Sequence, residues 1–219
     1  MQSFAADLWL DLPGTRGPGR ASPIVERMAE EGGPTDEELL ALLSNGDGAA
    51  FGRFYDRFHE SLYRFALRMS GSTALAEDVT QEVFLALIDS PARYDPARGA
   101  LAPYLYGVAR NKLLQRIDRD RPYVPMESAE EEIAPDKHPP LSRLIRSERT
   151  ALVWKALLAL PVHYREAVVL CNLQRLSYAE AAAALGCPVG TVRSRLHRGR
   201  ELLAERLRAG GPGGGRMVE

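Results

Sequence analysis

The chain has 219 residues, with 28 Lys plus Arg against 29 Asp plus Glu and a formal net charge of −1. That near-neutral total excludes a uniformly basic nucleic-acid coat and a strongly acidic tail protein. Hydrophobic residues make up 45%, enough for real cores, while Cys171 and Cys187 alone make neither a disulfide framework nor a complete zinc site.

No apolar run approaches the roughly 18–20 residues of a membrane span. No Lys or Arg precedes Arg16 to open a secretory signal, so a cytoplasmic chain without membrane insertion is expected. In chain order, residues 1–34 mix Gly, Pro and isolated apolar residues without period and read as a disordered leader; Met28 is an alternative start. Thr35 with Glu38 is a capping box opening a first helix through Leu39, Leu40, Leu42 and Leu43. Gly46 and Gly48 interrupt it. A second helix then runs to about Met69, its Phe51, Phe54, Tyr55, Phe58, Leu62, Phe65 and Met69 forming one stripe at three- and four-residue steps. Such a stripe reads as core. The third helix spans about Ala74–Ser90 with Val79, Val83 and Leu87 inward, and Pro91 and Asp95-Pro96 end it. The fourth runs from about Pro103 to about Asp120, with Leu105, Ala109, Leu113 and Ile117 as a buried ridge.

Residues 122–140 carry five prolines among acids and read as an extended, flexible linker. Beyond it, Leu141–Ala159 and Tyr164–Leu173 are amphipathic helices broken at Leu160-Pro161. Ser177 with Glu180 caps a short helix Tyr178–Leu185, Gly186 ends it, and a last helix runs from about Gly190 to Arg208. The sustained period-two alternation of strands is missing from the sequence. The expected fold is all-α, two small helical domains over 35–121 and 141–209, with a flexible tail at 210–219.

The neutral total conceals a partition. Residues 35–92 carry a net −6, residues 93–121 a net +4, residues 122–140 a net −4 and residues 141–208 a net +7. Two basic blocks separated by an acidic stretch suggest two nucleic-acid contacts on one chain.

The second block holds a helix-turn-helix: a short capped helix, a Gly-centred turn and a longer helix. At 100° per residue, Val192, Leu196, Gly199 and Leu203 share the inward face. Thr191, Ser194, His197 and Arg198 fall opposite, flanked by Arg193, Arg195 and Arg200. Short polar groups and Arg at the centre suit base edges, and flanking cations suit phosphates. On the fourth helix Tyr104, Asn111 and Gln115 lie opposite the buried ridge, with Lys112, Arg116 and Arg119 to one side. A ring, amides and cations together suit an unstacked base.

Asp78-Val79-Thr80-Gln81-Glu82-Val83-Phe84, followed by Tyr104-Leu105-Tyr106-Gly107-Val108-Ala109-Arg110-Asn111, resembles the second conserved region of bacterial sigma factors. Ser177-Tyr178-Ala179-Glu180, with Gly190-Thr191-Val192-Arg193-Ser194-Arg195-Leu196-His197-Arg198, resembles their fourth region. With a linker in place of a third domain, the arrangement is similar to the extracytoplasmic-function (ECF) group of the sigma-70 family over about residues 35–208.

The resemblance implies a subunit that binds core RNA polymerase and directs promoter-specific initiation in response to a stress or envelope signal. It implies no catalysis and no cofactor or metal. Asp78, Gln81 and Glu82 would dock on the clamp helices of the polymerase. Tyr104, Asn111, Lys112, Gln115 and Arg116 would meet the minus-ten element, with Asn111 lining a flipped-base pocket beside the loop 93–100. Thr191, Arg193, Ser194, Arg195, His197, Arg198 and Arg200 would meet the minus-thirty-five element. An anti-sigma factor is the implied inhibitory partner. One departure is Tyr104, where the family usually has Trp.

Three other readings compete. A plain helix-turn-helix regulator would bind duplex DNA without melting it, but it leaves the first four helices without a purpose. An enzyme would need a constellation that the scattered His59, His138, His163 and His197 do not provide. A sigma-like decoy would bind partners without initiating.

Overall fold

The computed structural model describes residues 34–119 and 150–210. The expected leader, the linker 122–140, the tail beyond residue 210 and the first part of the helix placed at Leu141–Ala159 lie outside the described residues.

Eight helices occupy the described part: α1 (Asp36–Ser44), α2 (Gly48–Ser70), α3 (Thr73–Asp89), α4 (Leu101–Arg119), α5 (residues 150–158), α6 (Val162–Val168), α7 (Tyr178–Leu185) and α8 (Val189–Gly210). Short 3-10 turns at Pro91–Arg93 and Pro96–Arg98 join α3 to α4.

The starts follow from capping chemistry. At α1 the Thr35 hydroxyl accepts from the Glu38 amide at 3.2 Å while the Glu38 carboxylate accepts from the Thr35 amide at 2.8 Å, satisfying two amide donors that a helix start otherwise leaves unpaired. Asp47 caps α2 through the Ala49 amide at 2.8 Å. Ser177 and Glu180 form the same reciprocal pair at α7. Gly186 then takes φ 61°, a left-handed turn without Cβ cost, and α8 starts three residues on.

Phe54, Phe58, Leu62, Phe65 and Met69 of α2 are fully buried against Val79, Val83 and Leu87 of α3 and Leu105, Ala109 and Leu113 of α4. Two members of the expected stripe depart: Tyr55 is 38% exposed, and Phe51 is half-buried. Tyr55 lies at the rim of the stripe and stacks on His59 at 4.5 Å. The α4 ridge fades toward its end, with Ile117 half-buried. α4 also begins two residues before Pro103, which is itself buried.

The run expected as one helix over Tyr164–Leu173 is two things. α6 gives way to a π-helical turn at Val169–Leu173, closed by the Gln174 amide donating to the Val169 carbonyl at 2.9 Å. The extra residue per turn rotates Asn172 and Gln174 inward, so both are buried polar groups.

The two helical domains share one continuous core. α4 packs on α7, and α2 touches α6 and the π turn. The Tyr106 hydroxyl donates to Gln174 Oε1 at 3.3 Å, and Gln174 Nε2 donates to the Ser61 carbonyl at 3.2 Å. Arg165 donates to the carbonyls of Met69 at 2.5 Å and Leu160 at 3.0 Å, and also to that of Leu158.

Candidate nucleic-acid interface

Between α3, α4 and the Pro91–Arg93 turn lies a cleft of about 280 Å³, just under the roughly 300–1,000 Å³ of sites for drug-sized ligands. Its floor is apolar, with Leu87, Leu105 and Val108, and its rim is polar, with Arg93, Asn111, Lys112 and Gln115. Tyr104 stands at one wall. The sequence placed this ring in the open; it is half-buried, its face tilted 54° to Tyr94 at 5.5 Å between centroids. Packed on Tyr94 and lining the cleft, the ring has less side-chain freedom to lose on stacking than an exposed one. Asn111 and Gln115 are exposed on the rim. A small apolar slot with an aromatic wall and amides at its mouth can accept one planar, edge-polar ring.

The cations beside the cleft are occupied. Lys112 Nζ sits 3.0 Å from Glu82 Oε2, and Arg116 Nη1 sits 2.8 Å from Asp78 Oδ2, with its other arm on Glu82. The hydrogen bond that Arg116 donates to Asp78 is the main cause that raises the Arg116 pKa further above its ordinary value. The acids expected to dock on a polymerase and the cations expected to hold DNA thus form one alternating cluster, tying α3 to α4. Asp78 stays open, its side chain 61% exposed, and Gln81 is exposed beside it.

Sequence reasoning gave no role to Arg110, whose guanidinium lies beside Asn111 at the edge of the cleft and reaches to the second domain. Its Nε lies 2.6 Å from Glu166 Oε1, and its Nη1 is 3.4 Å from Asn111 Oδ1. The available signal was a lone Arg between Ala109 of the apolar ridge and Asn111, too little to name a partner 56 residues on.

On α8, Val192, Leu196 and Leu203 are buried and Arg193, Ser194, His197 and Arg198 exposed, as the helical wheel placed them. Thr191 and Arg195 are half-buried. The Ser194 hydroxyl donates back to the Thr191 carbonyl at 3.0 Å, a contact a base edge can replace. Arg193 lies over the Tyr178 ring at 5.6 Å, linking the two helices of the motif. Arg198 and His197 both reach Glu201, at 3.0 and 3.4 Å. Arg200 differs from its neighbours: its Nε donates to Asn172 Oδ1 at 3.2 Å and the residue is half-buried, so it braces α8 against the π turn.

Among the described residues no His, Cys, Asp and Glu cluster could hold a metal ion. No helix there is long and apolar enough to cross a membrane.

Comparison with known proteins gives two family matches: Sigma-70 region 2 over residues 54–122 and Sigma-70, region 4 over residues 150–203. The chain is 37% identical over 182 residues to the ECF RNA polymerase sigma factor SigE of Mycolicibacterium smegmatis, covering 80% of this chain and 70% of that protein. It is 33% identical over 181 residues to the ECF RNA polymerase sigma factor SigW of Bacillus subtilis, covering 78% and 96%. Among solved structures, CnrH in complex with the cytosolic domain of CnrY matches with a TM-score of 0.61 at 26% identity, covering 80% of this chain and 99% of that one. The sigma factor RpoE of Bartonella quintana, in complex with the anti-sigma factor NepR, matches at 0.58 and 25%, covering 74% and 98%.

Proposed function

The chain belongs to the ECF group of the sigma-70 family, subunits that bind core RNA polymerase and direct promoter-specific initiation, and on that premise we propose how its surfaces divide the work. The exposed edge of α3, Asp78 and Gln81 with Glu82 behind them, docks on the polymerase. The α4 cleft captures one unstacked base of the minus-ten element: Tyr104 stacks on it, Asn111 reads its edge, and Gln115, Lys112 and Arg116 line the path of the strand. On α8, Ser194, His197 and Arg198 read the minus-thirty-five element, while Thr191, Arg193 and Arg195 hold its backbone. The chain works in the cytoplasm, performs no catalysis itself, and is restrained by an anti-sigma factor, the kind of partner with which RpoE of Bartonella quintana forms its complex.

The observation that carries this reading is the cleft. A plain duplex-binding regulator has no use for an apolar slot walled by a ring and rimmed by two amides, one of them 3.4 Å from a fixed arginine. Capturing a base from a duplex costs a few kcal/mol of lost stacking, and stacking on an aromatic side chain returns about 1–3 kcal/mol.

The test is run-off transcription from promoter fragments selected with reconstituted holoenzyme. Core polymerase with the chain should initiate at one site, and core alone should not. Asp78→Ala with Gln81→Ala should weaken core binding while lowering the melting temperature only slightly, since both side chains are exposed and the Asp78 pair with Arg116 is a surface one. Duplex binding by the chain with no effect on initiation would favour the regulator instead.

A further inference from the structure

We propose that Arg110 is a latch: through the buried Glu166 it holds the two DNA-binding domains closed in the free chain, and its release on opening delivers a cation to the base-capturing cleft beside Asn111. The inference rests on the promoter reading above, because that reading supplies the two elements the chain must reach.

The contact is built as a lock. The Glu166 side chain is 1% exposed, and its two oxygens take Arg110 Nε at 2.6 Å and Nη2 at 3.4 Å. Among the described residues Arg110 is the hydrogen-bonding partner of that carboxylate, and it comes from the other domain. While it stays buried that carboxylate needs its partner, so the burial of Glu166 and the contact between the domains go together. Beside it, Gly107 lets the α4 and α7 backbones meet: a Cβ there would lie 3.2 Å from the Ala184 carbonyl oxygen. The same guanidinium also leans on Asn111 Oδ1. The closed chain therefore occupies both the arginine and, weakly, the amide that the cleft needs.

Geometry requires the lock to open. Elements centred 10 and 35 base pairs upstream of a start site lie about 85 Å apart at roughly 3.4 Å per pair. A globule of about 150 residues has a radius of gyration near 15 Å and a diameter near 40 Å, and α4 and α8 sit in one core here. The 30 residues between the two described parts have a contour of at most about 100 Å. Both elements can be held together only after α4 leaves α7, which parts Arg110 from Glu166. The freed guanidinium then stands next to Asn111 on α4, where a strand phosphate would replace the carboxylate.

The test uses the full chain and two independent ways of opening it. Glu166→Gln removes the charge; Gly107→Leu wedges α7 off while improving the helix propensity of α4 itself. The radius of gyration from small-angle X-ray scattering should rise in both, with helicity by circular dichroism retained. Affinity for a short fluorescein-labelled single-stranded oligonucleotide of mixed sequence should rise roughly fivefold or more. Adding Arg110→Ala to Gly107→Leu should keep the expansion and abolish that rise. An unchanged radius in both opening variants overturns the latch. Expansion without higher affinity, or a rise that survives Arg110→Ala, overturns the delivery of Arg110 to the cleft. Run-off transcription by the wild-type chain is measured alongside. If it fails while the variants expand and bind as expected, the latch stands and the promoter reading falls.

Discussion

Helices α4 and α8 both carry several cations, and they use them in opposite ways. On α4, Arg110, Lys112 and Arg116 are each paired with a carboxylate from another element: Glu166, Glu82 and Asp78. On α8, Arg193, Ser194, His197 and Arg198 are exposed, and among the described residues the acid that touches them, Glu201, belongs to the same helix. A recognition helix that docks on intact duplex meets phosphates as they are, so its charges need no carboxylate from another element to hold them back. A helix that must hold a melted strand meets its ligand only after other steps, and here its charges are held elsewhere until then.

The hub role of α4 gives the largest expected effect. Burial pushes the Tyr106 hydroxyl up to about 12 from an ordinary 10, so the folded chain keeps that proton where the unfolded chain has lost it. The resulting stability is complete below about pH 10 and falls by up to about 2–3 kcal/mol as pH rises toward 12. Tyr106→Phe should remove that part of the alkaline loss in urea-unfolding stability. Cys171, pushed up to about 11 by burial, accounts for an alkaline loss beginning about one pH unit lower, which the variant retains. α8 offers no comparable buried hydroxyl.

The free charges of α8 come next. Letting go of Glu201 costs Arg198 little, because exposed pairs are weak. Arg198→Ala should weaken holoenzyme binding to the selected promoter about tenfold to a hundredfold and leave a scrambled minus-thirty-five element nearly unaffected. Equal loss on both would place Arg198 among the phosphate contacts and remove the distinction between centre and flank.

The held charges of α4 give the smallest effect. Glu82→Gln should release Lys112 and loosen Arg116, steepening the dependence of log affinity for single-stranded DNA on log salt by about 0.7 for each additional phosphate neutralised. At fixed salt the affinity should rise a few-fold. A slope identical to wild type would mean that the pairing does not restrain those cations.

Much of this was legible before any coordinates. Thr35 with Glu38 and Ser177 with Glu180 announce helix starts because capping is local chemistry, complete within four residues. The α8 faces follow from one helical period. What stayed hidden is what crosses between elements. Lys112 and Glu82 are 30 residues apart, Arg110 and Glu166 are 56. Periodicity states which way a side chain points, not which carboxylate the packing brings to meet it. The π turn was hidden for a related reason: Val168-Val169-Leu170 carries no Gly or Pro, and its register shift answers to Tyr106 and Ser61 in the other domain through Gln174. Tyr104 was read as exposed because its partner, Tyr94, lies in the irregular stretch before α4, outside any period.

The most direct test of the division between the two helices is strand opening by an Asn111→Ala holoenzyme. Asn111 is exposed at the rim of the cleft and carries no core packing. The variant should bind the selected promoter as wild type does. Permanganate footprinting should show little thymine reactivity around the start site on linear duplex, and a pre-melted bubble template should restore much of the run-off product. Normal melting on the linear template would contradict the account, leaving α4 without the base-capturing role that separates it from α8.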